Sequence, residues 1–285
     1  MNSFKELLAK NKKISEIVIE KQMEETGQSW EEIFSKMTEN LAVMKESAKA
    51  GMKDDGSFLV SGIAKQFGLC YNKTKLLSEV SRNAMAIAMS VSGHNACMGR
   101  IVAAPTAGSC GILPGVLIAS QMEYGFSDEE LVYALFNSGG VCSVIAENAS
   151  VSGAEGGCQA ECGTASAISA SALVELMGGT PKMCGHAAAF ALKFVMGLVC
   201  DPVGGLVEVP CVKRNASGAI NAFAAAEMSL SGIESVIPVD EVIKAMGRVG
   251  KMIHYSLRET ALGGIAATKT GIEISEKLKA GREKA

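Results

Sequence analysis

The stretch SDEELVYALF, residues 127–136, decides the fold. A serine followed three places on by a glutamate is the signature of a capping box, in which each side chain satisfies a backbone N–H of the other at a helix start. Behind it Leu131, Val132, Leu135 and Phe136 fall on one face of a 3.6-residue repeat. The same sentence is written twice more. Ser29 with Glu32 opens a stripe of Ile33, Phe34, Met37, Leu41 and Met44, and Ser3 with Glu6 opens Phe4, Leu7, Leu8, Ile14, Ile17 and Val18, which read as one helix. Gly178-Gly179-Thr180-Pro181 gives a helix stop, a cap and a proline at the first position of the next helix, and Asp240 stands where it would cap Val242, Ile243, Met246 and Val249. Only LVEVP, 206–210, alternates like a strand, and Pro210 limits it to an edge or a short extended connector. The expectation is an all-α fold: one compact multi-helix domain over residues 1–285, with 1–50 as an N-terminal helical pair joined to the rest through KAGMKDDGS, 49–57.

Composition narrows the function. A chain of 285 residues, 48% hydrophobic, can bury a sizeable core. Its net charge of −3, with no basic cluster on any segment, argues against nucleic acid as a partner. The apolar run HAAAFALKFVMGLVC is interrupted by Lys193 and is shorter than the roughly 20 residues a bilayer span needs, so no membrane segment is expected. The start, MNSFKELLAKNKK, lacks the apolar core of a signal peptide, which points to the cytoplasm. Nine cysteines in such a chain suit thiols or metal ligands better than a disulfide framework.

Three of those cysteines stand in runs of glycine, small residues and proline: Cys158 in SGAEGGCQAEC, Cys200 in GLVCDPVGG and Cys211 in LVEVPCVKRNA. They are 42 and 11 residues apart, too far for one helix face, so only the fold could gather them. Three soft thiolates suit an iron-sulfur cluster or zinc rather than magnesium or calcium, and an incomplete ligand set leaves a metal free to bind substrate. No C-x2-C run supports the set, and spacing alone leaves inert buried thiols as an alternative. Cys162, one helical turn beyond Cys158, is the main rival ligand and Cys110 the next.

The runs NACMGRIVAAPTAGSCGILPG (95–115), VSGAEGGCQAECGTAS (151–166), GLVCDPVGGLVEVPCVKRNASGA (197–219) and LRETALGGIAATKTG (257–271) resemble the alpha chain of iron-sulfur-dependent L-serine dehydratase, or L-serine ammonia-lyase, over nearly the whole chain. The resemblance implies an all-helical catalytic subunit whose glycine-rich loops converge on a 4Fe-4S cluster held by Cys158, Cys200 and Cys211. It implies a lyase of amino-acid catabolism that deaminates L-serine to pyruvate and ammonia. It also implies a beta chain as partner, carrying a Ser-Ser-His-Thr motif that could supply the proton acceptor. The family's glycine-rich stretch near SGIAKQFG (61–68) and its TPTG in place of Thr268-Lys269-Thr270-Gly271 are departures here, and no cysteine follows Cys211 to plug an open iron. Two other readings stay open: a related 4Fe-4S hydro-lyase for another hydroxy acid or amino acid, and a helical interaction subunit with zinc closed by Cys158, Cys162, Cys200 and Cys211.

The catalytic base has no clear candidate, since His94, His186 and His254 each read as ordinary packed or surface residues. Thr106, Ser109 and Ser152 sit in glycine-flanked turns whose hydroxyls could grip a carboxylate, although turn stabilisation explains them equally. Lys213 and Arg214 could neutralise a cluster or a carboxylate with Asn215 in support, or form a solvated pair at a helix start. Glu155, near Cys158, reads as an acid, a base or a plain surface carboxylate.

Overall fold

A computed structural model describes residues 1–8, 12–53 and 75–282. Helix follows helix: α1 (Phe4–Leu8), α2 (Ile14–Thr26), α3 (Trp30–Lys53), α4 (Glu79–Ala96), α5 (Ile112–Tyr124), α6 (Asp128–Asn148), α7 (Thr164–Leu176), α8 (Pro181–Phe194), α9 (Cys211–Leu230), α10 (Val239–Met252) and α11 (Lys269–Arg282). No strand forms among the described residues; Cys200 and Arg258 share an isolated parallel bridge. The architecture is all-α.

The capping residues act largely as their spacing predicts. Ser127 and Glu130 close a full capping box at the start of α6, Ser29 and Glu32 exchange the same pair of bonds before α3, and Thr180 accepts from Met183 N with Pro181 at the first position of α8. Behind the α6 box, Leu131, Val132, Leu135 and Phe136 are all buried, each contributing roughly 1.5–3 kcal/mol for a large side chain removed from water.

At the centre lies α7, buried on every side from Thr164 to Glu175. A helix hydrophobic or small all round belongs in a core, and its alanines and serines let α5, α6, α8 and α9 pack closely around it. Its serine hydroxyls are satisfied within the packing: Ser166 Oγ donates to Cys162 O at 2.8 Å and Gly218 O at 3.0 Å, and Ser171 Oγ to Asn137 Oδ1 at 2.7 Å. One continuous apolar cluster runs from Phe4 to Met246.

Three expectations are corrected. The first apolar stripe is not one helix but two, α1 and α2, so the N-terminal segment is more than a pair. The reason is tertiary: each start is capped by a distant carboxylate, Asp240 taking Phe4 N at 2.7 Å and Lys5 N at 3.2 Å, and Glu175 taking Ile14 N at 2.8 Å and Ser15 N at 3.3 Å. Asp240 therefore does not cap its own helix, which begins after Pro238. The LVEVP stretch is no strand either: Val203 N donates to Val209 O at 2.9 Å, folding residues 207–210 into a turn that leads straight into α9. The linker at 49–57 is helical through Lys53, where α3 ends, and its remainder, like SGIAKQFG, lies outside the described residues. No described helix is long and apolar enough to cross a membrane.

Candidate metal centre

The N-terminal end of α7 is where the glycine-rich loops meet. A single helical turn, Gly153–Gly156, leads through Gly157 to Cys158, and a π-helical turn, Gln159–Gly163, carries the chain into α7. A wider turn of this kind often marks a functional site, because it re-aims side chains within a helix. Gly157 holds φ at +77°, and a Cβ there would stand 2.8 Å from Leu198 O, so the loop before Cys158 can press against the segment that carries Cys200. Gln159 ties the two together, receiving Gly197 N on its Oε1 at 2.8 Å.

Cys200 lies in the extended connection between α8 and α9. Its N–H donates to Leu257 O and its carbonyl accepts from Glu259 N, both at 2.8 Å, so a strap made by residues 255–268 is fastened to it. Asp201 extends the fastening by accepting from Ile265 N at 2.8 Å. Cys211 is the first residue of α9. Cys158, Cys162 and Cys200 pack in one buried cluster with Ile112 and Ala165.

The three predicted ligands are brought together, since each lies within electrostatic reach of the others. Burial, reinforced by Cys158 and Glu161, pushes the Cys211 thiol up to about 12. Burial first, then Glu161, Cys158, Glu259 and Cys211, drives Cys200 far above the ordinary thiol range. Cys158 goes the other way: its hydrogen bond with Cys162 and the guanidinium of Arg214 hold it low. The Cys158 and Cys162 sulfurs are 3.3 Å apart.

Glu161 was missed from the sequence and sits at the heart of the site. Its carboxyl is buried, accepts from Thr106 Oγ1 at 2.8 Å and lies 3.7 Å from Cys200 Sγ, and burial raises its pKa. Gly153 makes room for it, since a Cβ there would come within 2.5 Å of Glu161 Oε2 and 2.9 Å of Cys200 Sγ. The available signal was its place three residues after Cys158, one helical turn on. Glu155, weighed instead, is exposed and accepts from Ser150 Oγ at 2.6 Å.

The remaining predicted residues divide. Thr106 reaches Glu161, whereas the buried Ser109 shares its hydroxyl with Thr106 at 3.2 Å and Ala104 O at 3.3 Å, shaping its own turn. Ser152 precedes the turn before Cys158, and its carbonyl accepts from Glu155 N and Gly156 N. Lys213 points to solvent. Arg214 reaches inward, pairing with Asp201 Oδ1 at 2.8 Å and donating to Val199 O at 2.9 Å. Asn215 is fully buried and stitches α9 to the 108–111 loop: it donates to Gly108 O and Cys211 O and accepts from Gly111 N. Thr268 accepts from Gly271 N at 3.2 Å at the start of α11.

Two of the three histidines have partners away from Cys158, Cys200 and Cys211. His186 Nδ1 accepts from Ser235 N, His254 Nδ1 lies 2.8 Å from Ser256 Oγ, and the ring of His94 packs over Gly99. Cys110 is a core residue with its thiol pushed up to about 12 by burial.

The donor set suits a thiol-loving metal group. Buried thiols that repel one another's charge stay protonated unless a cation shares their site. No three Cys, His, Asp or Glu side chains close around one ion among the described residues.

Comparison with known proteins adds an independent line. Residues 9–266 match the family model described as the serine dehydratase alpha chain. The chain is 46% identical over 271 residues to a protein of Bacillus subtilis named probable L-serine dehydratase, alpha chain, covering 94% of this chain and 90% of that one. It is 45% identical over 266 residues to the L-serine dehydratase, alpha chain, of Peptoniphilus asaccharolyticus, covering 92% and 91%. A Streptomyces coelicolor protein named L-serine dehydratase is 38% identical over 255 residues, which span 86% of this chain and only 56% of that longer protein.

Proposed function

Since the chain belongs to the serine dehydratase alpha chain family, we propose that it is the alpha subunit of an iron-sulfur-dependent lyase that deaminates L-serine to pyruvate and ammonia in the cytoplasm. The observation that carries the proposal is the convergence of Cys158, Cys200 and Cys211 from three separate segments. These three would hold a 4Fe-4S cluster within a single helical domain. When bound, the cluster supplies a Lewis acid for the substrate hydroxyl, the poor leaving group of the reaction.

The chain's own residues prepare that site. Arg214, locked by Asp201 and Val199 O, places a fixed positive charge beside Cys158 and offsets the negative charge of the thiolates. Asn215 holds the 108–111 loop against α9, which fixes Thr106 opposite Glu161. Ser152, in the turn before Cys158, then offers a hydroxyl for the serine carboxylate, while the Thr106 hydroxyl is committed to Glu161. Burial of Cys158 and Cys200 keeps bulk water from that side of the centre, while Cys211 is half-buried. The Cα proton passes to a base of the beta chain, in keeping with His186 and His254 being engaged elsewhere. The released 2-aminoacrylate tautomerises to an imine and hydrolyses to pyruvate and ammonium, a sequence that feeds gluconeogenesis.

The test is anaerobic reconstitution with iron and sulfide, followed by pyruvate formation from L-serine with and without a co-expressed beta chain. The expected result is a brown protein that releases pyruvate only with its partner, and little 2-oxobutyrate from threonine. Bound zinc without sulfide would overturn the proposal.

A further inference from the structure

Cys162 is a buried nucleophile that the proposed chemistry does not use. It stands four residues after Cys158 on the π-helical turn, and the two sulfurs are 3.3 Å apart, already in contact. A disulfide requires about 2.05 Å between sulfurs, so a small rotation of either side chain closes the remaining gap. Of the buried thiols, Cys110 and Cys184 lie in the apolar core, where Asn137 Nδ2 stands 3.9 Å from the Cys184 sulfur. A cavity of about 690 Å³ reaches Gly156, Gln159 and Ala160, on either side of Cys158, while both sulfurs stay buried beneath it.

We propose that Cys158 and Cys162 form a reversible disulfide in the cluster-free protein, withdrawing one of the three ligands and blocking cluster assembly until the bond is reduced. The inference rests on Cys158 being a cluster ligand as proposed above. The oxidant is a peroxide. One sulfur attacks a peroxide oxygen to give a sulfenic acid and water; the second sulfur then forms the S–S bond and displaces a second water. Two thiols lose two electrons and two protons, and one hydrogen peroxide becomes two waters. A bound cluster would occupy Cys158 and protect it, so the reaction belongs to the empty site.

A protease that cuts after glutamate provides the test. Cleavage after Glu155, Glu161 and Glu175 places Cys158 in GGCQAE (156–161) and Cys162 in CGTASAISASALVE (162–175), so only a disulfide keeps the two fragments joined. The full chain, stripped of metal by anaerobic chelation, is treated with hydrogen peroxide, alkylated, cleaved and weighed by mass spectrometry. The expected result is a joined pair that dithiothreitol separates, and iron uptake lost after peroxide and restored by dithiothreitol. In Cys162→Val, iron uptake should survive the same treatment at least several-fold better, and the wild-type fragments give a readout that needs no variant. Separate fragments from the oxidised wild type, or equal loss of iron uptake in wild type and Cys162→Val, would overturn the inference. A joined pair in a protein that never binds iron and sulfide when reduced would instead overturn the cluster reading and the lock on assembly, while leaving the disulfide itself.

Discussion

Two buried carboxylates at opposite ends of α7 show what separates scaffold from site in this protein. Glu175, at the end of α7, is saturated: Ile14 N and Asn137 Nδ2 each donate to it at 2.8 Å, and Ser15 N at 3.3 Å. Glu161, just before α7, has one hydroxyl from Thr106 at 2.8 Å and a thiol at 3.7 Å. The first spends its charge on the orphan donors of a helix start and so fixes where α2 docks. The second keeps capacity unspent in a pocket of thiols. Cysteines divide likewise, with Cys184 packed in the core near Glu175 and Cys158, Cys200 and Cys211 gathered near Glu161. A buried polar group that is fully satisfied builds the fold, and one left partly unsatisfied marks chemistry.

The contrast breaks most visibly at the cysteines. Cys158→Ser, Cys200→Ser or Cys211→Ser should each remove bound iron and serine turnover to below detection, whereas Cys184→Ala should keep both and lose only about 1–2 kcal/mol of stability for the vacated core volume. Iron content and urea unfolding measure the two effects separately, and iron retained in all three serine variants would erase the distinction.

Next in size is Glu175→Ala, which strands two backbone donors and an amide inside the protein and should cost about 3 kcal/mol in urea unfolding. Iron uptake by the folded variant should remain near that of the wild type. Glu161→Gln should do the reverse. Its amide oxygen still accepts from Thr106, so stability at pH 7 should change by less than about 1 kcal/mol, while turnover falls about tenfold as a positioning partner is lost.

The same variant sharpens the comparison by pH. Burial raises the Glu161 pKa in the folded state, so the neutral carboxyl is favoured there; its contribution is complete below the unfolded value of about 4.3 and is lost as pH rises through the folded value. Cluster-free wild type should therefore lose stability relative to Glu161→Gln across that rise, and parallel curves would contradict the assignment. The smallest effect is expected far from both carboxylates: Ser127→Ala removes the α6 cap and should cost about 1 kcal/mol with turnover unchanged.

Much of this organisation was legible in the chain. Ser127 with Glu130, Ser29 with Glu32 and Thr180 with Pro181 mark true helix starts because capping is a local bond between near neighbours. The division of the first stripe into α1 and α2 was not, because its cause is two carboxylates, Asp240 and Glu175, more than a hundred residues away. Glu161 was hidden for a similar reason. Each of Glu155 and Glu161 stands three residues from Cys158, so spacing alone does not choose between them, and the approach of Thr106 and Cys200 is what buries Glu161. Arg214 and Lys213 are adjacent in sequence, yet one turns in to Asp201 and the other out to solvent, a choice made by the packing of α9.

By itself the sequence determined the helical class, most helix starts and the family, since caps, apolar periodicity and distinctive motifs are properties of neighbouring residues. Tertiary structure alone decided which cysteines share a pocket, which arginine faces them and which glutamate stays unsatisfied. Those are matters of burial and distance between segments 13 to 107 residues apart, and nothing short of the packed helices sets them.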